Sequence, residues 1–358
     1  MKTMNKTQRH AALDRMINMA GAVQQALNAD LNPRAHGAQD IYVPTATDPV
    51  FGGDPQAAIN ADYATADRQR QPLQVYATSA AANDDLNPEI AFLSPEVPVS
   101  PYFAYQDYSG GINTMTSLAS LERAINGGLQ TIDGKGVEVA GLCKSYGLAS
   151  EIDEDRFDDV QAEMQNRVRQ IMDLIALNRL QIRLAAFVAI AANTAKTWGS
   201  SANPDADIRA AIISAHTGSG FRPTRVYLDE TAQSLRQGAF ESQATAGAFA
   251  GAMRSPQQLA GYLGISGVQV SNALARDSAG TLASVFASKV LLFRSFPGAS
   301  RTDTSIMKTF VTNDNGQRFR VHQRQVNEKV WRVAVTYRET TLVTGPVTGD
   351  PVRTLTIS

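Results

Sequence analysis

Apolar residues recur at helical spacing through a run, Glu151 to Trp198, that contains neither Gly nor Pro. Phe157, Val160, Met164, Val168, Ile171 and Ile175 step by three or four residues and form one stripe. A second stripe, Leu174, Leu177, Leu180, Leu184 and Phe187, joins it halfway along. The pattern predicts one helix over 151–198, roughly 70 Å long at 1.5 Å per residue. Asp153 and Asp155 are its candidate N-caps. Its first half is expected to bury one face, and its second half to be wrapped on more sides. Such a helix is a brace across a thin subunit, far longer than the usual three or four turns.

The periodicity divides the rest of the chain. Leu13, Ile17, Ala20, Val23 and Leu27 predict a first helix that Asn32-Pro33 stops. From Leu31 to Pro101 no period is sustained, and nine of the fifteen prolines fall there. That composition predicts an extended arm that builds no core alone. Residues 102–150 read as a long hairpin. Ile125–Ile132 is one strand, Asp133-Gly134-Lys135-Gly136 the turn, and Val137-Glu138-Val139 the return.

After the Trp198-Gly199 break, Asn203-Pro204 opens a helix that Gly218-Ser219-Gly220 ends. Thr224–Leu228 is a strand, Asp229 caps a helix to about Gln237, and Ser255-Pro256 opens a short one. Ile265–Val270 and Val290–Phe293 are further strands, which makes this segment a small mixed domain. In the tail, Arg318–His322 and Val330–Tyr337 alternate strongly, and Val352–Ile357 is a candidate last strand. The class is α+β. The boundaries read 1–101 for the helix and arm, 102–150 for the hairpin, 151–198 for the long helix, 199–300 for the mixed domain and 301–358 for the returning strands.

Composition narrows the chemistry. Hydrophobic residues make up 43% of the 358, enough for real cores. The net charge of −1 argues against a dedicated nucleic-acid binder. Lys2, Lys6, Arg9 and Arg15 read as a solvated helix face. Cys143, the single cysteine, lies in an apolar strand-like run and reads as a buried structural thiol. With one cysteine there is no intrachain disulfide and no multi-cysteine zinc site. The first residues carry no signal-peptide pattern. The most apolar stretch, Leu184–Ala192, is shorter than a membrane span. The chain therefore reads as soluble and made in the cytoplasm.

His10, His36, His216 and His322 are scattered without metal-site spacing, and neither a nucleophile elbow nor a phosphate loop occurs. The acidic group Glu151, Asp153, Glu154, Asp155, Asp158 and Asp159 is explained by capping and the helix dipole. No catalytic residue, cofactor or metal is expected.

The order of parts resembles a tailed-phage major capsid protein, a fold shared with encapsulins and herpesvirus capsid floors. The resemblance covers about Tyr102 to the C-terminus. Trp198-Gly199 followed by Pro204–Ile208 looks like the passage into an axial domain. Gly220-Phe221-Arg222-Pro223-Thr224-Arg225-Val226-Tyr227-Leu228 resembles the family's Gly-x-x-Pro-Thr-x-Val strand. Leu259–Ile265 with Val268-Gln269-Val270 resembles its helix-to-strand step, and Trp331–Tyr337 its returning strand.

The resemblance implies an N-terminal arm, an extended loop, a spine helix, a peripheral β-layer and a compact axial domain. It implies self-assembly into hexamers and pentamers of an icosahedral or prolate head around double-stranded DNA. It also implies portal, scaffold and decoration proteins as partners, no membrane, and a place in the virion after assembly in the host cytoplasm. The residues it marks for assembly are Gly127, Gly128, Lys135, Trp198, Gly261, Gly264 and Trp331. Lys135, Lys144 and Asn327 occupy the regions where some relatives crosslink, but they read as ordinary surface residues. Two other readings stay open: an encapsulin-like compartment shell, and an α/β enzyme with a helical insertion.

Overall fold

The structure is a computed structural model. It describes residues 73–80, 86–109, 136–243, 250–276, 280–298, 300–313 and 316–358. The expected first helix, the arm as far as residue 72, the Ile125–Ile132 strand and the Asp133–Lys135 turn lie outside these. The chain divides into units Met1–Thr65 and Ala66–Ser358, and all described residues belong to the second.

Helix α1 (73–80) and helix α2 (Leu86–Leu93) lead into strand β1 (Glu96–Pro98). Strands β2 (Tyr102–Asp107) and β3 (Val137–Leu142) pair as an antiparallel ribbon. Strand β4 (Lys144–Asp153) and a short 3₁₀ turn precede helix α3 (Val160–Ile190), which strand β5 (Ala192–Lys196) follows. Helix α4 (Pro204–Ser219), strand β6 (Arg225–Asp229), helix α5 (Glu230–Glu241) and helix α6 (Pro256–Leu263) come next. Strands β7 (Gly267–Ser271), β8 (Leu274–Arg276), β9 (Leu282–Ser284) and β10 (Lys289–Phe293) follow. The last four are β11 (Met307–Thr312), β12 (Phe319–Asn327), β13 (Val330–Val343) and β14 (Arg353–Ile357).

Two five-stranded sheets organise these elements. The first runs β1-β11-β13-β12, with β4 along β13. β13 is long enough to hold β12 against Val330–Tyr337 and β11 against Arg338–Val343, while β4 covers Val330–Glu339. The second sheet runs β5-β14-β10-β6-β7. Its last-arriving strand, β14, lies parallel to β5 and antiparallel to β10. The end of the 301–358 segment therefore completes the sheet built by residues 192–293.

Helix α3 serves both sheets. Met164, Val168, Ile171, Met172 and Ile175 pack under the first sheet with Val321, Val333 and Val335. Ala176, Leu180, Leu184 and Phe187 pack on Tyr227, Leu291 and Phe293 of the second. On that sheet's opposite face, Val226, Leu228, Val290 and Leu292 meet Ile208, Ala232, Ala239 and Leu259 of α4, α5 and α6. Alternation along β6 and β10 thus sends neighbouring residues into different cores.

Three expectations are corrected. First, α3 has 31 residues, not the expected span 151–198, and is roughly 46 Å long at 1.5 Å per residue. Glu151–Asp153 belong to β4, whose ladder to β13 outcompetes helix formation. Asp159 caps α3 by accepting from Ala162 N at 3.0 Å, while Asp153 caps only the 3₁₀ turn. At the far end, Ala192–Lys196 leave the helix without Gly or Pro because β14 offers them a parallel partner.

Second, the later half of α3 buries one face rather than several. Leu174 and Val188 are 54% and 41% exposed, while Leu180, Leu184 and Phe187 are buried. Third, the described end of the arm contributes to the core. Leu73, Ala77, Ile90, Leu93 and Val97 are buried, and β1 pairs in parallel with β11. Gln74 donates to Phe319 O at 2.6 Å and accepts from Val321 N at 2.9 Å, tying α1 to β12.

Local punctuation otherwise set the elements as expected. Asn203 caps α4, and Gly220 closes it in the left-handed region. Asp229 caps α5, and Ser255 with Gln258 forms a capping box at α6.

Gly349 turns the chain from β13 to β14 with φ +79°, and a Cβ there would lie 2.1 Å from Gly218 O. Gly349→Ala is expected to cost about 3 kcal/mol, from left-handed strain and forced separation of two backbones. A urea titration showing less than about 1 kcal/mol of loss would refute that reading.

Candidate assembly surfaces

The expected assembly residues fall in different places. Gly127, Gly128 and Lys135 lie outside the described residues. Trp198 is buried; its indole N–H donates to Asp207 at 3.1 Å, and its amide to Ser358 O at 3.1 Å. It joins the core beneath α4, α5 and α6. Trp331 packs at the edge of the first-sheet core, and its indole N–H donates to Glu154. Gly261 and Gly264 are exposed and line one cleft together. Gly264 ends α6 with φ +65°, a backbone geometry that favours glycine. The structure thus brings Gly261 and Gly264 together and leaves Trp198 and Trp331 in separate cores.

The cleft lies between α4 and the end of α6 and has a volume of about 380 Å³. Arg209, Ile212, Ile213 and His216 come from α4, and Arg222 from the loop after it. Tyr262 and Leu263 come from α6. The guanidinium of Arg209 lies 4.6 Å from the Tyr262 ring centre, and that of Arg254 lies 3.8 Å from it. Arg222 donates to Leu263 O at 3.0 Å and ties the two walls together. Behind the cleft, buried Asp205 receives Arg236 at 2.7 and 3.1 Å and Arg254 at 2.5 Å. Of the residues lining this cleft, the sequence had marked only Gly261 and Gly264.

A second surface is the β2–β3 ribbon. Its root is anchored by Phe103, whose ring centre lies 4.4 Å from that of Phe310, in a cluster with Val97 and Cys143. Cys143 is buried as expected; its Sγ lies 3.6 Å from Phe310 O, and burial pushes the thiol up, away from reactivity. On the ribbon's open side Tyr102, beside Phe103 at the root, and Val137, at the opposite end, are 80% and 71% exposed. Exposed apolar side chains on a two-stranded ribbon suit contact with another surface.

The spine is fixed to both β1 and β13 by a buried charge network. Arg179 Nε donates to Glu339 at 3.0 Å, and its Nη2 to Glu96. Arg318 reaches the same two carboxylates at 2.6 and 2.8 Å. Arg183 lies 3.7 Å from Glu339 and donates to Arg179 O at 3.0 Å. Burial pushes the Glu339 carboxyl up, but Arg179, Arg183 and Arg318 overcome this and hold it below the usual carboxylate range. Burial pushes the Arg183 guanidinium down to about 10.

Among the described residues no group of His, Cys, Asp and Glu is placed to hold a metal ion. Glu151, Asp153, Glu154, Asp155 and Asp159 are engaged instead in caps and pairs, such as Glu151 with Arg332 at 2.5 Å and Asp155 with Lys329 at 2.7 Å. Among the described residues no helix is long and apolar enough to cross a membrane.

No protein-family model matches the sequence, and no curated protein does. Solved structures do match. A phage-related protein from Bordetella bronchiseptica RB50 has a TM-score of 0.55 at 15% identity, over 78% of this chain and 95% of that one. The capsid of Cyanophage P-SCSP1u gives 0.43 at 10% identity, over 74% and 86%. An encapsulin from Synechococcus elongatus PCC 7942 gives 0.39 at 11% identity, over 73% and 84%. The order of hairpin ribbon, spine helix, compact sheet with three helices and returning strands is the one expected above from the resemblance. The chain has the phage major-capsid fold.

Proposed function

We infer that this chain is a capsid-type shell protein. It self-assembles into the hexamers and pentamers of an icosahedral or prolate phage head that encloses double-stranded DNA. The observation that carries the reading is the fold, matched over nearly the whole of the phage-related Bordetella protein. Residues 199–300, with β5 and β14 completing their sheet, serve as the axial domain, the first sheet with α3 as the peripheral layer, and the β2–β3 ribbon within 102–150 as the extended loop over a neighbour. The exposed apolar side chains of the β2–β3 ribbon suit that contact. The role is structural, with no chemistry assigned to any residue.

Its partners are copies of itself, with portal, scaffold and decoration proteins. DNA meets the inner surface without sequence recognition, in keeping with the net charge of −1. The product is part of the virion and is assembled in the host cytoplasm. Sedimentation of the expressed protein, followed by nuclease treatment and analysis of contents, tests this. Fast-sedimenting particles with protected DNA support a head. Particles holding a protein cargo move the reading to an encapsulin-like compartment. A chain that stays at subunit size contradicts both.

A further inference from the structure

Helices α4, α5 and α6 pack on the same face of the second sheet, yet the surfaces they expose are opposite in character. The α4–α6 cleft exposes Arg209, His216 and Arg222, and no acidic residue lines it. Ile213 and Tyr262, 57% and 45% exposed, give it apolar surface. On α5 the exposed positions Glu230, Ser234, Gln237 and Glu241 fall at i, i+4, i+7 and i+11, so they form one stripe with a carboxylate at each end. The one basic residue of α5, Arg236, is buried against Asp205 and adds nothing to that stripe.

Two unlike, charge-complementary patches on one chain favour a head-to-tail contact, which generates rings where the rotation closes. A two-fold contact through the cleft would instead set Arg209 and Arg222 of each copy against their counterparts. We propose that the α4–α6 cleft of one copy receives the outer face of α5 from a second copy, the Glu230–Glu241 stripe facing Arg209, His216 and Arg222. This contact closes the capsomer ring. The inference rests on the shell reading and names the surfaces that mate within it.

Charge reversal in the full-length protein tests it. R209E alone and E230R/E241R together are each expected to raise the concentration needed for ring or shell formation by about tenfold or more. R209E/E230R/E241R is expected to bring it back to within about threefold of the wild type, as coupled charges should. Circular dichroism melting of the unassembled chains separates loss of contact from loss of fold. A photoreactive side chain in place of Ile213 gives an independent readout: intermolecular crosslinks to residues 230–241 are expected. Unchanged assembly in both reversals, or no recovery in the triple variant, overturns the contact. So do crosslinks to another segment or to a different protein. If the wild type itself never assembles, the shell reading fails along with it.

Discussion

Glu339→Gln is expected to lower the unfolding free energy of the unassembled chain by about 3–5 kcal/mol at neutral pH, the loss typical of breaking a buried ion pair. Glu339 is 4% exposed and accepts from Arg179 and Arg318, with Arg183 close by. Removing its charge leaves three guanidinium groups sharing Glu96 alone. The pH dependence has a definite sign. The carboxyl titrates lower in the folded chain than in the unfolded one. Its contribution is therefore fully present above the unfolded value of about 4.3, and is lost as pH falls through the folded value. The gap between wild type and E339Q should narrow over that acidic range.

Arg183 behaves oppositely. Its pKa of about 10 in the fold lies below the ordinary arginine value of 12.5. The charged form thus opposes folding wherever it is protonated in both states. Arg183→Met is expected to be nearly neutral or slightly stabilising, whereas Arg179→Met should approach the loss seen for E339Q. Urea titrations of the three variants between about pH 3 and 8 check the order. Equal losses for Arg183→Met and Arg179→Met would contradict this account of the network.

Deleting residues 1–101 is expected to abolish folding, while deleting 1–65 is expected to leave a folded chain. The longer deletion removes the buried side chains of Leu73, Ala77, Ile90, Leu93 and Val97. At about 1.5–3 kcal/mol for each large apolar side chain, that loss alone rivals the 5–15 kcal/mol stability of a typical domain. It also removes Glu96, one of the two carboxylates of the charge network, and exposes the edge of β11. The shorter deletion ends at the boundary of the compact unit Ala66–Ser358. It is therefore the variant that tests the proposed part of the arm in assembly. Circular dichroism melts of both chains decide this. A cooperative transition in the longer deletion would contradict the placement of α1, α2 and β1 in the core.

The sequence disclosed the elements that carry their own punctuation. Asn203-Pro204, Gly220, Asp229 and Ser255-Pro256 fix helix ends locally, and each proved to do so. The elements it hid are those ordered by distant partners. β1 depends on β11 more than 200 residues away, and β5 on β14, so neither leaves a local trace. β11 is buried at every position, Lys308 included, and therefore lacks the alternation that betrayed β12 and β13. The helix end at Ile190 was missed for the same reason, since a waiting strand stops it rather than a breaker residue. Of the proposed contact surface, Gly261 and Gly264 were visible as a turn signal. Arg209, Arg222 and Tyr262 converge on them only through the packing of α4 against α6. Arg179 and Arg183, one turn apart in an apolar stripe, were the sole trace of the charge network.

Negative-stain electron microscopy of the purified full-length protein tests the central claim most directly. Closed shells or capsomer rings are the predicted result. A uniform population of monomers or dimers, persisting across salt and crowding conditions, would contradict it.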